Sequence, residues 1–260
     1  MGMANKKFWL GIPVLVLVFA VAAIGCDNGL TSGGNSSNGS SGTNSSGGSN
    51  DNNSTSSSND ITLVCLGDSL TAGRGATTPG EDDKSKSYPA YLEKKVNARV
   101  VNAGVSSDTT AKGLARVDSN VLSHNPEIVI ILLGANDFIL GDDRLPIPIP
   151  ASTSVKTTKA NLQKIIDKVD NGNRKIFLVK FYTEAMVKEL PFSLFPSYIK
   201  GYDDMFTELE KSSANVTLIK DIWTGVWGVH MSDNIHPNAK GYEIMADHIY
   251  NALKPYLQKL

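Results

Sequence analysis

The sequence of 260 residues predicts an α/β fold in which helices cover both faces of a parallel sheet. After residue 60, short apolar runs alternate with segments of helical periodicity, which is the order of a parallel sheet with helical crossovers. The apolar runs are hydrophobic on both faces, as in a sheet buried on both sides. The predicted strands are 61–66, 99–102, 127–133, 174–180 and 216–219, and the predicted helices are 87–98, 110–123, 155–170, 198–213 and 238–257.

The first residues have the layout of a secretory signal. Lys6 and Lys7 precede an apolar run over residues 8–24, and a small residue and Cys26 follow it. This ending resembles a bacterial lipobox with Cys26 as the lipidated residue, although Ala23 stands where that motif usually has Leu. The run is also just long enough to span a bilayer uncleaved. With either outcome, we expect everything after Cys26 to lie outside the inner membrane.

Residues 27–60 form the second predicted segment and consist almost entirely of Ser, Gly, Asn and Thr. Such a composition has too little apolar surface to offset the entropy of folding. We therefore expect a flexible tether with a mean reach on the order of 30–35 Å. The predicted organisation is a signal peptide (1–26), a tether (27–60) and one folded domain (61–260), exported and held at a membrane by a lipid anchor that faces the periplasm or the cell exterior.

Composition excludes several classes of function. Lys and Arg number 25 against 26 Asp and Glu, so the chain lacks the basic footprint of a nucleic-acid partner. There are two cysteines and no CxxC, HExxH or acidic calcium-loop pattern. We therefore expect no disulfide scaffold, no metal and no cofactor.

The first predicted strand ends in Gly67, Asp68 and Ser69. Gly67 allows a sharp turn, and Asp and Ser are common turn formers and helix caps, so this triplet alone does not indicate catalysis. However, functional groups gather at the carboxyl ends of parallel strands. The loops 102–109 and 134–137 follow two further strands. Ser69 would be a nucleophile only if a histidine, an acid and oxyanion donors lay near it.

Among the four histidines, His236 has the setting that suits a general base. It precedes a proline, which favours an extended His236 and which we expect at the first position of the last helix. Asp233, three residues earlier, can accept a hydrogen bond from one ring nitrogen while the other faces outward. His124 lies where a helix is predicted to end, and His248 falls off the apolar stripe of the last helix. His230 stays open as an alternative.

Four ordered segments resemble the motif blocks of the SGNH or GDSL hydrolase family: GDSLTAG (67–73), NAGVSSDTT (102–110), GAND (134–137) and DNIHPN (233–238). The phrases LARV, VIILLGAND and IHPN are most similar to the bacterial acyl-thioesterase, lysophospholipase and arylesterase branch. The resemblance implies a flavodoxin-like three-layer α/β/α sandwich with a five-stranded parallel sheet. It also implies a serine esterase that cleaves esters or thioesters through an acyl-enzyme, with Ser69 as nucleophile, His236 as general base and Asp233 as orienting acid.

The resemblance further implies an oxyanion hole made of the backbone N–H groups of Ser69 and Ser107 and the side-chain amide of Asn136. Relatives usually have Gly at the position of Ser107. This donor therefore needs a backbone conformation that a non-glycine residue can adopt. We expect Asp68 and Asp137 to brace their turns through backbone hydrogen bonds and to take no part in catalysis.

Two other functions stay open: an esterase for O-acetylated envelope or plant polysaccharide, and a surface-binding lipoprotein without activity. The apolar loops 138–152 and 191–198 either line an acyl groove, with residues 138–140 and the aromatic side chains of the second loop, or pack as a lid without ligand contact. The motif phrasing favours short to medium acyl esters or thioesters. A lipid or small-molecule ester is therefore the expected substrate.

Overall fold

The computed structural model describes residues 61–140, 151–189 and 196–258. Within them, five strands form one sheet in the order β2-β1-β3-β4-β5, and every neighbouring pair is parallel. This confirms the predicted five-stranded parallel sheet. The strands are β1 (Thr62–Gly67), β2 (Arg99–Gly104), β3 (Ile128–Leu132), β4 (Lys175–Val179) and β5 (Val216–Ile219).

The described helices lie on both faces of this sheet. From β1 to β2 the chain moves along the sheet in one direction, and from β2 to β5 it moves in the other. Because crossovers between parallel strands are right-handed, α2 lies on one face of the sheet, whereas α3, α6 and α8 lie on the other. Helix α9 packs on α2, and α6 packs on α3 and α8. The helices are α1 (Ser69–Ala72), α2 (Tyr88–Glu93), α3 (Thr110–Ala115), α4 (Val117–Asn120), α5 (Ala135–Leu140), α6 (Ala151–Val169), α7 (Glu184–Glu189), α8 (Pro196–Lys211) and α9 (Ala239–Leu257).

Two predicted helices differ from the structure. The segment 87–98 is helical only over Tyr88–Glu93, because the chain must then turn back to enter β2. The segment 110–123 is not one helix but α3, α4 and a short 3-10 helix at Leu122–His124. The backbone leaves helical geometry at Arg116 (φ −112°, ψ 11°) and again at Val121 (φ −122°, ψ −64°).

The last helix matches its prediction except at its first turn. Asn238 is the N-terminal cap, and its side chain accepts a hydrogen bond from the Gly241 N–H at 3.1 Å. Pro237 therefore precedes the cap and does not occupy the first helical position. The apolar stripe is fully buried, as its spacing predicts: Tyr242, Met245, Ala246, Ile249 and Leu253.

Several predictions concern residues outside the described ranges. Cys26, the signal segment 1–26 and the tether 27–60 belong to this group, as do parts of the two apolar loops, 141–150 and 190–195. In the described part of the chain, no helix has both the length and the apolar character needed to cross a membrane. The same residues contain no cluster of three or more His, Cys, Asp or Glu that would hold a metal ion.

Candidate active site

Ser69 is the first residue of α1, directly after the carboxyl end of β1. It thus begins a short helix, where the sequence predicted only a turn. Gly67 does not have a positive φ, so its role is to leave space. A Cβ on Gly67 would lie 1.9 Å from Thr71 Oγ1 and 2.8 Å from the Leu132 carbonyl oxygen. Glycine therefore allows α1 to fold back tightly over the end of the sheet.

Asp68 caps α1 and is 1 % exposed. Its Oδ1 atom accepts a hydrogen bond from the Leu70 N–H at 3.0 Å, which confirms the predicted brace. The buried Oδ2 atom has no hydrogen-bond partner among the described residues. Burial raises the pKa of Asp68 to about 7; the Leu70 bond opposes this rise, and the charges of Asp137 and Asp108 add to it. Asp68 is therefore a structural group that titrates near neutral pH.

A continuous chain of hydrogen bonds joins Ser69, His236 and Asp233. The His236 Nε2 atom lies 3.1 Å from Ser69 Oγ, and Nδ1 lies 2.8 Å from Asp233 Oδ2. The other Asp233 oxygen, Oδ1, accepts the N–H groups of Ile235 and His236, each at 2.8 Å. The contacts expected from the spacing of Asp233 and His236 are therefore present.

The charge state of Asp233 fixes the tautomer of His236. Desolvation raises the pKa of Asp233, but the N–H donors of Ile235 and His236 and the contact with the His236 ring outweigh it, so this pKa lies below its ordinary value. An ionised Asp233 requires a proton on His236 Nδ1. In the neutral imidazole, Nε2 then accepts the hydroxyl hydrogen of Ser69.

Backbone contacts hold the loop that carries His236. Met231 and Pro237 form an antiparallel bridge, and the Ser232 N–H donates to the His236 carbonyl oxygen at 2.8 Å. Gly75 (φ +78°) lies against this loop, and a Cβ on it would be 2.9 Å from Ser232 Cβ. The absence of a side chain at Gly75 lets the segment after α1 support the histidine.

The other histidines have no contact with Ser69. His248 Nε2 donates to the Thr224 carbonyl oxygen at 2.9 Å. His124 is the last residue of its 3-10 helix, as predicted. The backbone of His230 bonds to Val226 and Asn238. The choice of His236 over the three alternatives therefore agrees with the geometry.

Three candidate oxyanion donors follow three adjacent strands. Ser69 follows β1, Ser107 lies in the loop after β2, and Asn136 is the second residue of α5 after β3. No described residue accepts a hydrogen bond from the backbone N–H of Ser69 or Ser107. Asn136 Nδ2 donates to the Asp108 carbonyl oxygen at 2.8 Å, which leaves its second amide hydrogen for a ligand.

Ser107 adopts φ +65°, so the position where relatives usually have Gly is indeed left-handed. A non-glycine residue in this conformation costs roughly 1–2 kcal/mol. Ser107 therefore adopts the conformation that glycine adopts without strain.

Asp137 connects two elements at the carboxyl edge of the sheet. Its Oδ2 atom accepts the Thr110 N–H at 2.8 Å, and Oδ1 accepts the Thr110 hydroxyl at 2.6 Å. A backbone hydrogen bond to Asp137 was predicted, and this one comes from the start of α3. The carboxylate ties the start of α5 to the start of α3, because both lie at the same edge of the sheet.

Arg116, the arginine of the phrase LARV, makes contacts at the site that the sequence does not predict. Its Nε atom lies 2.6 Å from Asp108 Oδ2, Nη1 lies 2.7 Å from the Ala103 carbonyl oxygen, and Nη2 lies 2.9 Å from the Gly67 carbonyl oxygen. The side chains of Arg116 and Asp108 are 15 % and 7 % exposed. No sequence signal reveals these contacts, because two of the three partners are main-chain atoms.

The predicted acyl groove receives no support from the two of its side chains that the structure describes. Phe138 and Tyr198 are 4 % and 2 % exposed. Their rings stack with centroids 5.1 Å apart, and the Tyr198 hydroxyl donates to the Phe138 carbonyl oxygen at 2.9 Å. Both belong to the core that supports α5. The side chains of residues 139–140 and 191–195 lie outside the described ones.

A cleft of about 640 Å³ lies at the opposite end of the sheet from Ser69, where β3, β4 and β5 begin. Its lining includes Asn125, Arg174 and Lys175 but no Ser, Cys or His. Its lining therefore lacks the serine and histidine that lie together at the carboxyl edge of the sheet.

Comparison with known proteins places the whole site inside a known family region. A model of the GDSL-like lipase/acylhydrolase family matches residues 65–244, well over half of the chain. The esterase TesA of Pseudomonas aeruginosa is 29% identical over 203 residues, covering 75% of this chain and 89% of that protein. The thioesterase 1/protease 1/lysophospholipase L1 of Escherichia coli K12 is 28% identical over 200 residues, covering 75% and 84%. A crystal structure of TesA has a TM-score of 0.60 at 27% identity, covering 75% and 98%.

Proposed function

The chain belongs to the GDSL-like lipase/acylhydrolase family and is an ester-hydrolysing enzyme, and we propose that Ser69 is its nucleophile. The observation that carries this assignment is the hydrogen-bonded chain from Ser69 Oγ through His236 to Asp233. A serine hydroxyl is a weak nucleophile unless an adjacent base removes its proton, and the base needs a third group to orient it. His236 and Asp233 supply both functions.

In the first half of the reaction, Ser69 Oγ attacks the acyl carbon while its proton moves to His236 Nε2. The carbonyl oxygen becomes an anion, which receives hydrogen bonds from the N–H groups of Ser69 and Ser107 and from the Asn136 amide. His236 then gives the proton to the leaving alcohol or thiol as the bond to the acyl carbon breaks. Water repeats the sequence on the acyl-enzyme, which releases the acid and restores Ser69.

We assign the substrate to short or medium acyl esters and thioesters. The support is the similarity to proteins named as an esterase and as a thioesterase and lysophospholipase. p-Nitrophenyl esters of graded chain length, acyl-CoA and acetylated xylan should be compared. We expect turnover of the acyl esters and acyl-CoA and no activity in Ser69→Ala. Release of acetate from xylan, with p-nitrophenyl activity falling steadily from acetate upward, would instead make the protein a carbohydrate esterase.

We also propose that Cys26 carries a lipid anchor and that residues 27–60 tether the enzyme outside the cytoplasmic membrane. The sequence of residues 1–60 supports this proposal. In a bacterium that processes lipoproteins, the wild-type chain should be membrane-bound with a modified Cys26, and Cys26→Ala should be unprocessed or released. An unmodified Cys26 in a chain that still begins at Met1 would contradict the anchor and favour an uncleaved helix.

A further inference from the structure

We propose that Arg116 is a positioning residue that holds the three oxyanion donors in their mutual arrangement. This inference rests on the proposed function of Ser69. The Arg116 side chain does not contact Ser69, Ser107 or Asn136 directly. It contacts the end of β1 before Ser69, at Gly67, and β2 with its following loop around Ser107, at Ala103 and Asp108.

Two of these contacts fix the strands on which the backbone donors depend. The Gly67 carbonyl oxygen lies two residues before Ser69, and the Ala103 carbonyl oxygen lies near the end of β2, four residues before Ser107. Both accept from the same guanidinium group, at 2.9 and 2.7 Å. Since neighbouring strands lie about 4.8 Å apart, the planar fork of one arginine can span their two ends. The relative position of the Ser69 and Ser107 N–H groups is thereby set.

The third contact extends the arrangement to the side-chain donor. Arg116 Nε binds the carboxylate of Asp108, the residue directly after Ser107. The carbonyl oxygen of the same Asp108 accepts a hydrogen bond from Asn136 Nδ2 at 2.8 Å. Asp108 therefore connects the guanidinium group to the amide, and the orientation of Asn136 depends on a residue that Arg116 holds.

The geometry requires arginine and not merely a positive charge. Arginine presents donors in a rigid planar fork, whereas a lysine ammonium is a compact point charge on a flexible stem. Lysine at this position could pair with Asp108 but could not also bond both strand ends. Arg116→Lys should therefore keep the charge interaction with Asp108 but lose the hydrogen bonds that fix the donors relative to one another. A displacement of about 1 Å in a catalytic group costs on the order of 10²-fold in rate.

The chain offers a matched control at the other end of the sheet. Arg174 is also buried, and its Nε and Nη1 atoms donate to the carbonyl oxygens of Pro126 and Val169, each at 2.6 Å. It supports loops before β3 and β4, far along the strands from Ser69. Arg174→Lys removes a comparable main-chain clamp without touching the site.

The experiment compares wild type, Arg116→Lys, Asp108→Asn and Arg174→Lys. Each variant is assayed with a p-nitrophenyl ester at least 10 °C below its own Tm. For Arg116→Lys and Asp108→Asn we expect kcat to fall roughly 10- to 100-fold with KM changed less than about twofold. Arg174→Lys should lower Tm and leave kcat unchanged.

A second readout separates positioning from stability. A trifluoromethyl ketone adds to Ser69 Oγ, the hydroxyl proton moves to His236, and the ketone oxygen becomes an anion in the proposed hole. Its inhibition constant should rise in Arg116→Lys by the same factor by which kcat falls, because both measure stabilisation of an oxyanion. The inhibition constant of Arg174→Lys should equal that of wild type.

The outcomes are distinguishable. If Arg116→Lys and Asp108→Asn have a lower Tm but the wild-type kcat and inhibition constant, Arg116 has only a structural role and the inference is overturned. If KM alone changes, Arg116 acts on substrate binding, which also contradicts it. If the wild-type chain hydrolyses no ester, or Ser69→Ala retains full activity, the proposed function fails first and the inference falls with it.

Discussion

At the scale of single residues, Asn136 is the proposed oxyanion donor whose contribution is easiest to isolate. Asn136→Ala removes the amide, and we expect kcat to fall by roughly 10²–10³, about 2.7–4 kcal/mol of transition-state stabilisation. Asn215 is a suitable control because its amide donates to Asp170 at 2.8 Å, away from the site. Steady-state kinetics should show Asn215→Ala with the wild-type kcat. A wild-type kcat in Asn136→Ala would show that this amide is not part of the oxyanion hole.

The proposed contribution of Ser107 comes from its backbone N–H, so its side chain should matter only for conformation. At φ +65° glycine is unstrained, whereas a β-branched residue is a genuine outlier. We expect Ser107→Gly to keep kcat and to change the free energy of unfolding by less than about 1 kcal/mol, because relieved strain opposes the added entropy of the unfolded chain. Ser107→Val should lower both. Denaturant unfolding and steady-state kinetics on the two variants measure these quantities. The same kcat and the same free energy of unfolding in both variants would contradict this prediction.

At the scale of elements, α1 depends on its cap because a helix of four residues has no stability of its own. The cap carries a cost, since the buried Asp68 has its pKa raised from 3.8 to about 7. Between these values the folded protein binds more protons than the unfolded chain. The contribution of Asp68 to stability is therefore greatest below pH 4, is lost as pH rises towards 7, and is constant above that.

Asp68→Asn keeps an oxygen that can accept the Leu70 N–H but cannot ionise. We expect this variant to gain stability relative to wild type as pH rises from about 4 to 7, with the difference levelling off above pH 7. Thermal or urea unfolding of both proteins across pH 4–8 measures that difference. Parallel stability curves for the two proteins would show that Asp68 does not titrate in this range.

Comparison of the predicted and observed elements shows which information is local. Strand positions were predictable because each strand contains a short apolar stretch, and β3 is apolar and fully buried over its whole length. The breaks in the segment 110–123 were not predictable, because the helical pattern of the sequence continues through Arg116, whereas the backbone leaves helical geometry there. Its guanidinium group is committed to carbonyl groups of β1 and β2, and no helical pattern encodes such a contact.

The contacts of the site also divide into local ones, which the sequence predicts, and tertiary ones, which it does not. Asp233 and His236 are three residues apart, so their contact follows from local geometry, and the family resemblance gave their partner Ser69. The clamp formed by Arg116 and Asp108 depends on the tertiary fold. The buried, unpartnered oxygen of Asp68 was equally hidden, since an Asp before a helix normally indicates an exposed cap.

At the scale of the whole molecule, the strand order assembles the site. Because β1 lies between β2 and β3, the three loops with the proposed donors are neighbours, and the loop before α9 brings His236 to the same edge. Such a unit should respond as one. Once Ser69→Ala has removed the nucleophile, adding His236→Ala should cost little more in kcat. Kinetics of the single and double variants test this, and independent, additive losses would contradict a shared mechanism.

Cys65 is the thiol nearest to Ser69 in sequence, and it can serve as an internal reference. Its side chain is fully buried in β1, and burial raises the pKa of the thiol well above its ordinary value. Since the thiolate is the reactive form, Cys65 should not react with electrophiles in the folded protein. A label found on a peptide that contains residues 65–69 can therefore be assigned to the Ser69 hydroxyl and not to the Cys65 thiol.

Covalent labelling by a fluorophosphonate, located by peptide mass spectrometry, tests directly whether Ser69 is the nucleophile. Ser69 Oγ attacks phosphorus, fluoride leaves, and the hydroxyl proton passes to His236. The assignment of Ser69 as nucleophile predicts one label per chain on Ser69, loss of ester hydrolysis in step with labelling, and neither label nor activity in folded Ser69→Ala. A label on another residue, or full activity in Ser69→Ala, would contradict it.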